Sequence, residues 1–222
     1  MSTAHTASER LLERVRPFKG DSVGIGIEHI AKMPLSSEAV ADIFECLRSE
    51  NVSDLSWGLW FAQGVLDSNP PQELLRFLVR QLPKWIAHHQ EALREHALPL
   101  LIRLRENFPG YRSMMLRCLK DPDPDVRTNA LAAYETFLTE KDIPLLLEFE
   151  QDDYMSETSM NSPLIYAIRN QALAIIERLC GQKFPKHENV KAIEDGHTVY
   201  WWDWRPFLDW WEKQRRKWRF WR

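Results

Sequence analysis

Three nine-residue segments of this chain share one pattern, and this internal repetition restricts the possible folds more than any other feature. The segments are LREHALPLL at 93–101, VRTNALAAY at 126–134 and IRNQALAII at 168–176. Each begins with an aliphatic residue and arginine, and each has Ala-Leu at its fifth and sixth positions. The starts lie 33 and 42 residues apart, spacings that are typical of repeats built from two helices. The sequence therefore predicts stacked helical hairpins.

The best-defined copy is MLRCLKDPDPDVRTNALAAYETFL at 115–138. The DPDPD turn ends one helix, Asp123 can cap the next, and Pro124 falls in the first turn, where its missing N–H costs nothing. Apolar residues then recur every three or four positions, which predicts one buried helical face. In the N-terminal third, SSEAVADIFECLRSE predicts a further helix, with Ser36 or Ser37 as its cap.

The segment LKDPDPDVRTNALAAYETF at 119–137 resembles a HEAT repeat, in which an Asp-Pro turn precedes Val-Arg and an alanine-rich helix. IPLLLEFEQDD followed by IRNQALAIIERLCG is similar to a next repeat with a lengthened turn. The resemblance is closest over 110–182 and implies an all-α fold, an α-α superhelix or HEAT-like solenoid. It also implies that Arg94, Arg127 and Arg169 bond along the stack and to turn acids.

We expect a single repeat domain over 1–222, with a disordered segment at 1–8, the clearest repeats at 71–182 and a Trp-rich C-terminal cap at 183–222. A hydrophobic content of 44% and a charged content of 27% suit such a folded chain. An elongated array can carry this length as one cooperative unit.

Seven of the ten tryptophans lie in 200–222. In a helix from Phe207 onward, the aromatic positions fall on one side and most basic residues on the other. We favour a cap over the exposed end of the last repeat. A membrane-surface helix and a partner-binding surface stay open as alternatives. In the last case, Trp201, Trp202 and Trp204 would form an extended aromatic clamp before the helix.

The segment EFEQDDYMSETSMNSP at 148–163 interrupts the repeat pattern and is rich in acids. Insertions in repeat arrays often lie on the binding face, although a solvated loop without function is the alternative. Its candidate binding residues are Glu150, Asp152, Asp153, Tyr154 and Glu157.

Charge is unevenly distributed along the chain. Six of the 29 basic residues lie in 213–222, so residues 1–212 carry 23 basic and 32 acidic side chains. Such an acidic body repels nucleic acid and attracts a basic protein. A bilayer-spanning run and a signal peptide are absent from the sequence pattern, which predicts a cytoplasmic protein without a membrane partner.

The sequence contains no recognised catalytic or metal-binding motif. His89 and His96 lie seven residues apart on one predicted helix, and no second helix complements them as a metal site. Phosphate loops, HExxH and GxSxG are also missing. The three cysteines form no CxxC pair and are predicted to be buried free thiols. We therefore predict no catalytic residues, no metal and no cofactor.

The resemblance to bacterial HEAT-like proteins implies a non-catalytic protein-binding module, either an adaptor or an immunity-type inhibitor. The partner would be a protein, for example a basic toxin or enzyme, bound at the concave face or the acidic loop. The alternative is a resemblance to HEAT-like DNA glycosylases or other nucleic-acid repair proteins, for which Trp57, Trp60, Trp85 and Arg127 are the residues to consider. The sequence does not predict an oligomeric state.

Overall fold

The chain is mainly helical, as the sequence predicted. The computed structural model describes residues 5–19, 25–157, 164–185, 188–192 and 197–219, and these form eleven α-helices and four short β-strands. Contacts divide the chain into unit 1, Met1–Val126, and unit 2, Arg127–Arg222. The expectation of a single cooperative domain concerns folding behaviour and stays a prediction.

Unit 1 consists of helices joined by short turns. Its helices are α1 Ala7–Lys19, α2 Ile27–Ile30, α3 Ser37–Arg48, α4 Val52–Val65, α5 Gln72–Ile86, α6 Glu91–Arg103, α7 Tyr111–Cys118 and the start of α8 Pro124–Tyr134. Helix α3 packs against α1 and α4, and α6 packs against α4 and α5. Fully buried aliphatic side chains form the core between them, including Leu11, Ile43, Leu59, Leu78 and Leu93. Burial of these faces is what stabilises helices of this length.

Two predicted helix caps are confirmed. The Ser36 hydroxyl oxygen accepts a hydrogen bond from the backbone N–H of Ala39 at 3.2 Å. The Asp123 carboxylate accepts from the backbone N–H of Val126 at 3.0 Å, and α8 begins at Pro124. Both caps satisfy backbone donors that have no partner inside the helix, so they depend only on local sequence.

The N-terminus differs from the expectation of disorder over 1–8. Helix α1 begins at Ala7, and both Ala7 and Ser8 are buried. The Ser8 hydroxyl donates to Asp54 Oδ1 at 2.7 Å, which fixes the start of α1 against the rest of unit 1. That partner lies far away in the sequence, so the local pattern could not reveal it. Residues 1–4 lie outside the described residues.

Unit 2 combines helices with a small sheet. Its helices are the remainder of α8, α9 Ile143–Leu146, α10 Ala167–Cys180 and α11 Arg205–Arg219, with 3-10 turns at Glu135–Phe137, Glu140–Asp142 and Leu147–Gln151. Its strands are β1 Met155–Glu157, β2 Leu164–Tyr166, β3 Glu188–Ala192 and β4 Thr198–Trp202. They form one sheet in the order β1-β2-β4-β3, in which β2 and β4 are parallel and the two outer pairs are antiparallel.

The sheet was not predicted from the sequence. Its strands have only three to five residues, and the parallel pair joins Leu164 to Val199 across the whole of α10. Such short strands exist only through pairing and packing, which local propensity does not encode. Helix α10 begins directly after β2, so the third repeated segment starts at the end of a strand.

The first half of the Trp-rich tail packs inside unit 2. Phe207 of α11 is fully buried, with ring centroids 5.4 Å from Phe184, 6.2 Å from Trp204 and 6.2 Å from Trp211. These separations are typical of packed aromatic pairs. The side chains of 215–222, which complete the predicted stripe, lie outside the described residues. Among the helices of the described ranges, none is both long enough and apolar enough to cross a bilayer.

Candidate binding site

One end of the sheet brings together the two segments that the sequence singled out. Met155 pairs with Tyr166 across β1 and β2, and Asn189 pairs with Trp201 across β3 and β4. Because β2 and β4 are parallel, their carboxyl ends lie together, beside the amino end of the antiparallel β1. The acidic residues that precede β1 and the tryptophans that end β4 therefore lie at the same end of the sheet, although about fifty residues separate them in the sequence.

Three side chains at this end are in direct contact, and we call Tyr166, Arg169 and Trp201 the sheet-end cluster. The Tyr166 and Trp201 rings meet edge to face, with centroids 5.3 Å apart and planes at 81°. The Arg169 guanidinium carbon lies 5.1 Å from the Tyr166 centroid and 5.8 Å from the Trp201 centroid. All three residues are partly exposed. Cation–π contact of this kind holds an arginine in place without neutralising its charge.

Arg169 has an unusual position within the described part of unit 2. No hydrogen-bond or ion-pair partner is present for it among the described residues, and its Nε atom is buried without a partner. A buried donor without an acceptor is costly, and native structures contain few of them. The chain therefore keeps, at an exposed edge, a charged group that is oriented but not paired.

The other two arginines of the repeated segments do bind turn acids, as the HEAT resemblance implied. Arg94 donates from Nε and Nη2 to the two carboxylate oxygens of Asp121, both at 2.8 Å. Arg127 donates in the same way to Asp152, at 2.9 and 3.2 Å. Asp152, a predicted binding residue, is thus engaged in a mostly buried ion pair with side chains 18% and 11% exposed.

The remaining acidic candidates have different surroundings. Asp153 is exposed, whereas Glu150 and Tyr154 are partly exposed. Glu157 ends β1 at the opposite end of the sheet, and its side chain lies outside the described part of the chain. Asp153 and Tyr154 are consequently the members of the acidic segment that the structure leaves accessible beside the cluster.

The three tryptophans of the predicted clamp have different surroundings in the structure. Trp201 belongs to the sheet-end cluster, and Trp202 is partly exposed, with its backbone N–H donating to Asn170 Oδ1 at 3.0 Å. Trp204 is only 2% exposed and packs against Phe207, so its ring serves the interior of unit 2.

Sequence reasoning missed Tyr166 and assigned Arg169 a structural role. Their importance follows from strand β2, because the strand places Tyr166 beside Trp201 and starts α10 one residue later. The signal available was weak: Leu-Ile-Tyr after Pro163 is a short run of strand-forming residues. A run of three such residues is too short to separate a strand from a helix start.

Unit 1 contains a separate cleft of about 260 Å³, lined by Ile25, Ser56, Trp57, Trp60 and His96. The Trp60 and His96 rings meet edge to face at 6.0 Å, and Trp60 Nε1 is buried without a partner. Of the other residues considered for the glycosylase alternative, Trp85 is in the core and Arg127 is paired with Asp152. The described residues hold no group of three or more metal-ligating side chains suited to a cation.

The fold and the site together define a mainly helical protein with a small mixed sheet and a partly exposed arginine–aromatic cluster at its end. No protein-family model matches the chain, and no curated protein matches its sequence.

Proposed function

We propose that this chain is a non-catalytic protein-binding module that resembles HEAT-like α-solenoid proteins and binds its partner at the sheet end. The observation that carries the proposal is the contact between Tyr166 and Trp201 at the end of the sheet where Asp153 and Tyr154 precede β1. Exposed or partly exposed Tyr, Trp and Arg side chains are the residue types that dominate protein-binding hot spots.

Support for the HEAT-like class comes from the paired arginines. Arg94 and Arg127 occupy the same position of two aligned segments, and each binds a turn aspartate, 27 and 25 residues further along the chain. In both pairs one carboxylate oxygen also accepts the backbone N–H two residues later, at 2.9 Å for Asp121 and 3.1 Å for Asp152. The same arginine–aspartate pairing in two successive segments is expected of a repeat array.

The partner of this proposal is a basic protein. Asp153 offers an exposed carboxylate at the same end of the sheet as the aromatic rings, and the chain outside its last ten residues is acidic. Complementary charge increases the rate of encounter and selects against acidic competitors and nucleic acid. The module would act in the cytoplasm either as an adaptor or as an immunity-type inhibitor of a basic toxin or enzyme.

The test starts from a protein that co-purifies with the chain in stoichiometric amounts, with its affinity measured by calorimetry. Asp153→Lys and Trp201→Ala should each weaken binding at least about tenfold, because losing a hot-spot side chain costs about 2 kcal/mol or more and tenfold in affinity corresponds to about 1.4 kcal/mol. Glu73→Lys makes the same charge change on the exposed surface of α5 and should leave the affinity unchanged. Equal affinity of all three variants would refute the sheet end as the binding site.

The two forms of the proposal, and its rival, give different results. An immunity-type inhibitor should abolish its partner's activity at a 1:1 ratio, whereas an adaptor should leave that activity intact. Salt-sensitive binding of duplex DNA that Trp57→Ala or Trp60→Ala abolishes would instead favour the nucleic-acid alternative.

A further inference from the structure

We propose that Arg169 is the anchor of a carboxylate-binding site in the sheet-end cluster. Its ligand would be an Asp or Glu side chain, or the C-terminal carboxylate, of a bound protein. The biological meaning of this site rests on the proposed function, but its chemistry can be tested with a small carboxylate alone.

The inference follows from a comparison of three equivalent residues within one chain. Arg94, Arg127 and Arg169 are the second residues of the three repeated segments. Arg94 and Arg127 each donate hydrogen bonds from Nε and Nη2 to the oxygens of one carboxylate, with nitrogen–oxygen distances of 2.8 to 3.2 Å. Arg169 is the only one of the three that has no carboxylate among the described residues. The repeated design therefore provides a guanidinium whose usual ligand is missing.

The turn acid that could have served Arg169 is already engaged. Asp203 lies just before α11, and its Oδ1 accepts the backbone N–H of Arg205 at 3.0 Å, the same turn that Asp121 and Asp152 make. However, Arg205 also binds the Asp203 carboxylate through Nε, at 3.0 and 2.8 Å, and through Nη2 at 2.6 Å. Local pairing between residues two apart thus replaces the long-range pair of the other segments.

The surroundings of Arg169 suit an external acceptor. Tyr166 and Trp201 contact the guanidinium, and its Nε is buried, which restricts the side chain and reduces the entropy lost when a ligand binds. The terminal nitrogens are not among the buried atoms that lack a partner, so they keep access to solvent. The N–H groups of the two terminal nitrogens, Nη1 and Nη2, can pair with the two oxygens of a carboxylate.

A carboxylate is favoured over a phosphate by the local charge. Asp153 precedes β1 at this same end of the sheet, and its negative charge opposes a doubly charged anion more than a singly charged one. Arg94 and Arg127, at the equivalent positions, also bind carboxylates, through Nε and Nη2, whereas Arg169 would use its terminal nitrogens.

The experiment titrates N-acetylglycine into protein labelled with ¹⁵N-tryptophan and follows the indole N–H signal of Trp201, assigned with Trp201→Phe. N-acetylglycinamide with matched sodium chloride is the uncharged control. We expect a saturable shift of the Trp201 signal with N-acetylglycine and none with the amide. Inorganic phosphate is the third probe, and phosphate binding without N-acetylglycine binding would overturn the assignment to a carboxylate.

Variants of Arg169 make the result specific. Arg169→Gln should abolish the N-acetylglycine shift, and Arg169→Lys, which keeps the charge without the planar fork, should weaken binding about fivefold or more. Arg178→Gln removes an arginine of the same helix that already pairs with Glu135, and binding should be unchanged. A wild-type protein that gives no shift, or an Arg169→Gln protein that binds equally well, would overturn the proposal. Because no partner is needed, failure here is distinguishable from failure of the protein-binding proposal.

Discussion

Arg94 and Asp121 form a buried ion pair that joins the first turn of α6 to the turn between α7 and α8. Their side chains are 9% and 7% exposed, and two hydrogen bonds of 2.8 Å connect them. Arg94 Nη1 also donates to the carbonyl oxygens of His88 and His89, at 2.9 and 3.2 Å. The hydrogen bonds and the charge of Asp121 raise the pKa of the Arg94 guanidinium, so Arg94 stays charged at any ordinary pH. The pair therefore links the start of α6 to the turn before α8.

Removing one partner of this pair should be strongly destabilising. Asp121→Ala leaves the Arg94 charge buried without a counter-ion, and we expect a loss of about 3–5 kcal/mol in the free energy of unfolding. The double variant Arg94→Met/Asp121→Leu should lose less, because it buries no unpaired charge. Urea denaturation of the wild type, the single variant and the double variant measures these free energies of unfolding. A double variant less stable than the single one would contradict the prediction.

Asp152 and Asp153 are adjacent in the sequence, but we expect Asp152 to contribute to stability and Asp153 to partner binding. Asp152→Asn disrupts the bidentate pair with Arg127, and we expect a loss of about 1–3 kcal/mol in unfolding free energy. Asp153→Asn makes the same chemical change at an exposed site, so the urea midpoint should not move. Asp153→Asn should weaken partner binding more than Asp152→Asn does. Equal stability of the two variants would mean that the Arg127–Asp152 pair does not hold unit 2 together.

The start of α11 should contribute to stability through its aromatic face. Phe207→Ala removes a fully buried ring among Phe184, Trp204 and Trp211, and losses of about 3–5 kcal/mol are usual for such a truncation. Asp209→Ala, on the exposed side of the same helix, serves as the control. Thermal unfolding should show a large decrease for the first variant only, and a small decrease for Phe207→Ala would argue against a packed tail.

The thiols should be unreactive near neutral pH. Burial raises the pKa of Cys46 and Cys118 to about 12 and that of Cys180 to about 11. Because the thiolate is the reactive form, labelling with a disulfide reagent at pH 8 should be slow for all three and fastest at Cys180, the only partly exposed one. Cys180→Ser should remove the fastest phase, and rapid labelling of three thiols in the native protein would contradict this expectation.

The raised thiol pKa values also make the stability of the protein depend on pH. The folded protein binds thiol protons more tightly than the unfolded chain, so the thiols contribute fully to the free energy of unfolding below the ordinary thiol pKa. This contribution to the free energy of unfolding is lost as the pH rises toward the folded-state pKa values of about 11 and 12. Urea midpoints should therefore decrease at strongly alkaline pH, and less so when Cys118 is replaced by alanine.

Prediction from the sequence succeeded where the cause is local. The caps at Ser36 and Asp123 satisfy backbone donors within three residues, and the helix starting at Pro124 follows from the same short range. The candidate site was harder. The concentration of tryptophans points to Trp201, and the interrupted repeat pattern points to Asp153. Tyr166 and Arg169 acquire their positions from strand pairing, which the sequence pattern does not reveal.

The sequence by itself determined the helical character of this chain, the turns that separate its helices and the arginines placed at each repeat, because these depend on periodicity and on neighbours a few residues away. Only the tertiary structure decided which acids Arg94 and Arg127 bind, that four short strands pair, and that Arg169 contacts two aromatic rings with no carboxylate partner among the described residues. These outcomes depend on contacts between residues far apart in the chain, whose free energy exists only once the backbone has folded.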